Sequence, residues 1–257
     1  MSASSLWRSV ADGLATFGGR QSSGVSDSGR RTRTIDFGDL RRIAPISTNW
    51  GFERGSPVDR FYVERFLARS AADVRGCVLE AADDGYTRRF GGDRVTAVDI
   101  LHHDTANARA TVIADLAQGD GIPSAAFDCV LLTQTLQYVY DLEAAVLTID
   151  RMLKPGGVLL MTVPGLSRID ANPWDGAWLW TFTARALRRL LEQRFAPAAV
   201  EIEAHGNVLA AVALLHGLAA EELRAEELDE HDPRYPVIIT ARAQKSAGAE
   251  HAPAETS

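Results

Sequence analysis

Four acidic or polar positions stand behind short apolar runs. Glu80 follows Val78-Leu79, Asp99 follows Val98, Asp115 follows Ala114, and the segment Thr133 to Gln137 closes a run that starts at Phe127. Carboxylates in such places accept hydrogen bonds from ligand hydroxyl and amino groups. Glu80 and Asp99 lie 19 residues apart. Nucleotide-binding folds keep a separation of about 20 between a phosphate loop and an acid that holds ribose hydroxyls. Histidine supplies the other candidate chemistry, because an imidazole titrating near neutral pH serves as a general base. His102 and His103 follow Asp99, with Asp104 beside them, and His205 and His216 bracket an apolar stretch. His205 is the preferred base and His102 the second. The run His102-His103-Asp104 has the residue types of a metal site, but adjacent loop residues rarely face one another, and no metal is expected.

These groups need a scaffold that brings strand ends to one edge. Val78–Ala81, Val95–Ile100, Thr111–Asp115, Phe127–Thr133, Val158–Val163, Val200–Glu203 and Val237–Ala241 read as seven short strands. Helical spacing appears between them over Pro57–Ser70, Leu142–Leu153, Thr183–Phe195 and Asn207–Leu218. Lys154-Pro155-Gly156-Gly157 is expected to stop the second of these, since proline cannot continue a helix and glycine permits a sharp turn. The alternation predicts an α/β domain with a mostly parallel sheet covered by helices on both faces. Ligands in such sheets bind beyond the carboxyl ends of the strands.

The chain has 257 residues, a formal net charge of -7, 46% hydrophobic and 24% charged residues. That size buries a core without staples. The negative balance argues against a nucleic-acid partner, which calls for a basic stripe. Cys77 and Cys129 sit in apolar runs and read as buried thiols. No apolar run reaches the roughly 18 residues of a membrane span, and the start lacks a signal-peptide core. The expectation is a cytoplasmic protein, with no membrane partner and with homodimerisation open. Residues 1–35, rich in Ser, Gly and Arg, read as a mobile leader, 36–245 as the folded domain, and 246–257 as a disordered tail.

Val78-Leu79-Glu80, Val98-Asp99, Ala114-Asp115-Leu116, Phe127-Asp128 and the turn Leu153-Lys154-Pro155-Gly156-Gly157 together resemble the class I S-adenosylmethionine-dependent methyltransferases over about residues 40–243. Gly51 to Tyr62 and Tyr86 to Gly92 resemble a bacterial subgroup often associated with glycosyltransferases or secondary metabolism. The resemblance implies a Rossmann-like, seven-stranded sheet whose last strand runs antiparallel. It implies S-adenosylmethionine as cofactor, with Glu80 near the methionine amino group and Asp99 on the ribose hydroxyls. Asp115 and Leu116 would flank the adenine, and Thr133, Gln134 and Thr135 would floor the site beside the reacting methyl. The acceptor expected is a small molecule, a sugar or a natural-product intermediate.

One loop departs from the family pattern Glu-x-Gly-x-Gly-x-Gly. Ala82, Asp84 and Tyr86 occupy its glycine positions. Glycine there lets the backbone turn tightly and approach a ligand. Ala82 is expected to be the mild change. Asp84 is expected to be the disruptive one, because a carboxylate beside the cofactor's own carboxylate opposes binding unless a cation intervenes. Arg54, Arg60, Arg88 and Arg89 are the candidate cations, with Arg60 and Tyr62 able to clamp the cofactor carboxylate. Trp50, Tyr86 and Tyr138 can offer ring faces to a sulfonium cation, and Trp174, Trp178 and Trp180 crowd the segment after the fifth strand. Two other readings follow from the altered loop: the same fold with chemistry other than methyl transfer, and a non-catalytic binding module.

Overall fold

A computed structural model of the chain describes residues 36–169 and 178–248. Its first compact unit, Met1–Arg41, is described only at residues 36–41, where Gly38–Leu40 form one helical turn and the Arg41 guanidinium lies 5.0 Å from the Phe37 ring centre. The second unit begins at Arg42 and holds a seven-stranded sheet.

The strands are β1 (Gly76–Ala81), β2 (Val95–His102), β3 (Val112–Ile113), β4 (Phe127–Thr133), β5 (Leu153–Pro164), β6 (Val200–His205) and β7 (Ile238–Gln244). Their order across the sheet is β3-β2-β1-β4-β5-β7-β6. Pairs from β3 to β5 are parallel, and β7 runs antiparallel to both β5 and β6. This is the expected α/β, Rossmann-like, mostly parallel seven-stranded sheet, with the antiparallel last strand that the family resemblance implied.

Period-two alternation explains why both faces are covered. Cys129 and Leu131 join one core cluster, and Val130 and Leu132 the other. On the first face lie α1 (Val58–Arg69) and α4 (Val208–His216); on the second lie α2 (Leu142–Met152) and α3 (Ala184–Leu191). A short α5 (Ala225–Asp229) follows. Side chains start three of these helices: Asp141 caps α2, Thr183 caps α3 and Asn207 caps α4, each accepting from a backbone N–H three residues on. Among the described residues no helix is long and apolar enough to cross a membrane.

Two elements differ from expectation. The helix α2 ends at Met152, as expected of the residues that follow, but Lys154 to Gly157 also enter β5 as a bulge. Phe127 pairs with Leu153 and Cys129 with Val158, so the residues between Leu153 and Val158 bow out against a single residue of β4. Gly156 at φ +79° permits the bow, and it is fastened by Gly156 N–H to the Lys245 carbonyl at 3.0 Å and Lys245 N–H to the Gly157 carbonyl at 2.9 Å. The second difference is β2, which runs past Ile100 to His102. Buried Ile100 and Leu101 continue the pairing with Glu80 and Ala81.

Candidate functional site

The chain leaves β1 toward β2 on one side and returns through β4 on the other, which makes the β1/β4 border the switch point of the sheet. Immediately beyond the two strands stand Ala82 at φ +73° and Gln134 at φ +50°. Side-chain-bearing residues rarely enter this left-handed region, and where they do a function often retains the strain.

The loop after β1 reverses the expected ranking of its substitutions. Ala82, expected to be mild, is the strained position. It is held by its N–H to the Leu101 carbonyl at 2.9 Å and by Asn107 Nδ2 donating to its own carbonyl at 2.6 Å. Asp84, expected to disrupt, is 3% exposed and turns away into a clasp of arginines. Arg88 Nε donates to it at 2.6 Å, and Arg109 donates to its other oxygen. Burial works against the Asp84 charge, but these hydrogen bonds outweigh it and hold the carboxyl below its usual range. Of the four arginines considered from sequence, only Arg88 meets Asp84. Arg54 pairs with Glu222 at 2.9 Å and Arg89 with Glu64 at 2.8 Å. Arg109 carries no sequence signal, since it lies 25 residues downstream of Asp84.

Glu80 is 2% exposed and braces the same loop from below. Its two oxygens accept the N–H groups of Tyr86 at 3.1 Å and Thr87 at 2.7 Å, at the start of a wide helical turn over Thr87–Gly91. Burial pushes its carboxyl up against those hydrogen bonds. Each oxygen of Glu80 thus already accepts one hydrogen bond in holding the loop.

Arg60 and Tyr62 separate. Two residues along a helix do not share a face. Arg60 Nη1 donates to the Tyr86 hydroxyl at 3.2 Å, and both line an open cavity of about 730 Å³ together with Asp83 and Gly85. Tyr62 is 1% exposed on the core side of α1, where its hydroxyl donates to the Leu228 carbonyl at 3.1 Å and burial pushes the phenol up to about 12. Tyr86, not Tyr62, stands beside Arg60 at the cavity.

Because β2 is longer than expected, Asp99 lies level with Leu79 rather than at the strand's end. It is half-buried, and its Oδ1 accepts from the Thr111 hydroxyl at 2.7 Å; its Oδ2 has no hydrogen-bond partner among the described residues. Asp115 is exposed and accepts the Ala117 N–H at 2.7 Å, whereas Leu116 is buried in the core. Thr133 pairs with Thr162 across β4 and β5, and the Gln134 N–H donates to the Thr162 carbonyl at 2.9 Å. His102, His103 and Asp104 do face one another, against the expectation for adjacent loop residues. Their ligand atoms lie within 4.8 Å of one another, with His102 Nδ1 and His103 Nε2 each 3.0 Å from a different Asp104 oxygen.

His205 lies elsewhere. It ends β6, four strand steps from β1, or about 19 Å at the usual interstrand spacing. It is 5% exposed, its Nε2 is 2.9 Å from the Thr240 hydroxyl, and its ring stacks 5.9 Å from Tyr62. Burial, with His231 adding to it, lowers its pKa to about 4. A neutral imidazole enclosed at the far side of the sheet does not serve as base at the β1/β4 border.

Beyond β4 an aromatic cluster forms. Trp178 stacks on Trp50 with centres 6.3 Å apart and meets Tyr138 edge-on at 5.5 Å. Trp50 itself is left-handed at φ +58°. The Arg168 guanidinium, just past β5, covers the Trp50 ring at 4.3 Å. Sequence reasoning missed Arg168 by following only the first four strand ends, although β5 ends on the same edge. Trp180 is a packing anchor whose Nε1 donates to the Val139 carbonyl at 3.0 Å. Trp174 lies outside the described residues.

Residues 76–161 match the family model for a methyltransferase domain. A malonyl-acyl-carrier-protein O-methyltransferase of Enterobacter lignolyticus is 34% identical over 120 residues, covering 43% of this chain and 48% of that protein. The chain thus matches about half the length of this curated relative. Among solved structures, an S-adenosylmethionine-dependent methyltransferase from Mesorhizobium loti superposes with a TM-score of 0.50 at 20% identity, over 70% of this chain and 95% of that one. The cyclase SpnF does so with a TM-score of 0.50 at 19% identity, over 76% and 84%. At these identities the two likenesses bear on the fold alone.

Proposed function

We propose that this chain, whose residues 76–161 match the family model for a methyltransferase domain, transfers a methyl group from S-adenosylmethionine to a small acceptor, a sugar or a natural-product intermediate. The observation that carries this reading is the state of the loop after β1. Its glycines are gone, yet Ala82 keeps the left-handed backbone that glycine would supply, and Asp84 is withdrawn and neutralised by Arg88 and Arg109. The shape of a cofactor cradle thus persists without its usual sequence, and the repulsion expected from Asp84 is removed.

The residues present fit the cofactor in part. Asp99 offers Oδ2 to ribose hydroxyls. Arg60, steadied by Tyr86 beside the cavity, offers a guanidinium to the carboxylate. Gln134 and Thr133 floor the β4 end, and Asp115 with Leu116 borders the adenine side. Glu80 braces the loop. When bound, the cofactor supplies an electrophilic methyl on a sulfonium. The chain's own contribution is to orient the two reactants and exclude water, since in-line displacement depends chiefly on positioning.

Calorimetric titration with S-adenosylmethionine and its demethylated product tests the reading. The expected result is saturable binding, with a matching rise in melting temperature. Ligand at 100 times its dissociation constant adds about 2.7 kcal/mol of stability. Absence of binding at millimolar ligand would remove the proposal and favour a methyltransferase fold with other chemistry or a binding module.

A further inference from the structure

Buried polar atoms without a hydrogen-bond partner are rare in folded proteins, and each asks for an explanation. Three of them gather beyond the ends of β4 and β5. They are the Gln137 Oε1 acceptor, the Trp178 Nε1–H donor and the Arg168 Nε–H donor. Gln137 is 1% exposed, and its amide nitrogen is already engaged by Gln134 Oε1 at 3.3 Å. Its backbone carbonyl accepts the N–H groups of Leu179 at 2.9 Å and Trp180 at 3.3 Å, which fixes the Trp178 segment over the end of β4. Trp178 in turn contacts Tyr138 and Trp50, and Trp50 carries Arg168 on its ring. The three residues therefore belong to one connected set of contacts.

Its chemistry is specific. Trp50 and Trp178 are half-buried and stack on each other 18° from parallel, and their uncovered parts give an apolar surface. Arg168 makes no ion pair among the described residues. The nearby Glu53 carboxyl lies below its usual range chiefly through its hydrogen bond with Ser47, with Arg54 and Arg168 as smaller influences. Two donors, one of them cationic, suit an anionic oxygen, and the Gln137 acceptor suits a hydroxyl proton. These atoms are shielded from water, so a ligand group that reaches them meets little competition from solvent.

We propose that the Trp50–Trp178 cluster with Arg168 and Gln137 is the acceptor subsite, and that it selects a planar, hydroxylated organic acid. The acid's carboxylate binds Arg168 and the Trp178 indole N–H, its hydroxyl donates to Gln137, and its ring lies along the tryptophans. This deepens the methyl-transfer reading by naming the acceptor class, and it rests on that reading for the word acceptor.

Tryptophan fluorescence of the full chain, titrated without cofactor, tests it. The probes are 4-hydroxybenzoate and its neutral counterpart 4-hydroxybenzamide. The acid is expected to quench saturably and to bind at least about tenfold more tightly than the amide, the scale of a charge-assisted hydrogen bond. Arg168→Gln should bring the acid down to the level of the amide and leave the amide unchanged, and Trp178→Phe should weaken the acid while keeping the ring. If Arg168→Gln melts early, Arg168→Lys keeps the charge without the planar fork and should lower the preference for the acid. Equal binding of acid and amide, an Arg168 variant that keeps full preference, or no saturation at millimolar acid overturns the proposal. A parallel titration with S-adenosylmethionine separates the two ideas. Acid selectivity without cofactor binding removes the methyl-transfer reading alone, and cofactor binding without acid selectivity removes this subsite alone.

Discussion

Two places on the carboxyl edge of the sheet carry residue types suited to chemistry, and they are built in opposite ways. At the end of β6, His205 is closed in, bonded to Thr240, stacked on Tyr62 and kept neutral. Around the β1/β4 border, two side-chain-bearing residues hold left-handed backbone, Asp99 on the neighbouring β2 keeps one oxygen without a hydrogen-bond partner among the described residues, and a cavity opens beside Arg60. The histidine is the better reagent on paper, yet its surroundings use it as a core residue. The border holds less reactive side chains, but in a geometry that the fold sustains at a cost in strain. Environment, more than residue type, separates a site from a piece of core.

The largest test of that contrast is the pH dependence of stability. With its pKa lowered to about 4, His205 contributes stability that is present above the ordinary value of 6.5 and is lost as pH falls from there toward 4. In that window the unfolded chain binds the proton and the folded one does not, a difference of about 3 kcal/mol. Denaturant midpoints of the wild type and His205→Gln measured from pH 7 to pH 4 should converge as pH falls. Parallel curves would show an imidazole that titrates normally, and the contrast would collapse. Next is Asp84→Asn, which leaves two arginines without their anion. The guanidinium ends are largely exposed, which trims the loss to about 2 kcal/mol in chemical denaturation. An unchanged midpoint would mean that the clasp does not hold the loop.

Asp99→Ala sharpens the other side of the comparison. It should weaken S-adenosylmethionine about tenfold by calorimetry, the low end for hydrogen bonds to a charged group, because Thr111 already engages one oxygen. Unaltered affinity would move the ribose elsewhere. Smallest is Ala82→Gly, which relieves the left-handed strain and should raise stability by up to about 1 kcal/mol in thermal melts. A drop instead would show that Ala82 sits at ease in that conformation.

The frame was legible in the sequence because apolar runs of strand length and helical spacing are local signals. All seven strands appear where those runs lie, and the antiparallel last strand came with the family resemblance. The limits also have physical causes. Arg60 and Tyr62 were separable in principle, since a helix turns them to different faces. The Asp84–Arg109 pair was not, because it joins two loops that only the fold brings together. The length of β2 depended on Ile100 and Leu101 finding partners on β1. The left-handed state of Ala82 could be read only by asking what glycine does at that position, and then only as a question.

The bulge that opens β5 is fastened to Lys245, at the far end of β7, and β7 lies between β5 and β6. Residues paired across β5 and β7 are separated by 74 to 86 positions, from Pro164–Ile238 to Val158–Gln244. During synthesis on the ribosome, β5 and β6 emerge well before the strand that joins them. The nascent sheet must wait with an open gap and two unpaired edges until that strand arrives, and edges of this kind are what chaperones shield. Completion of the sheet thus waits on the synthesis of β7.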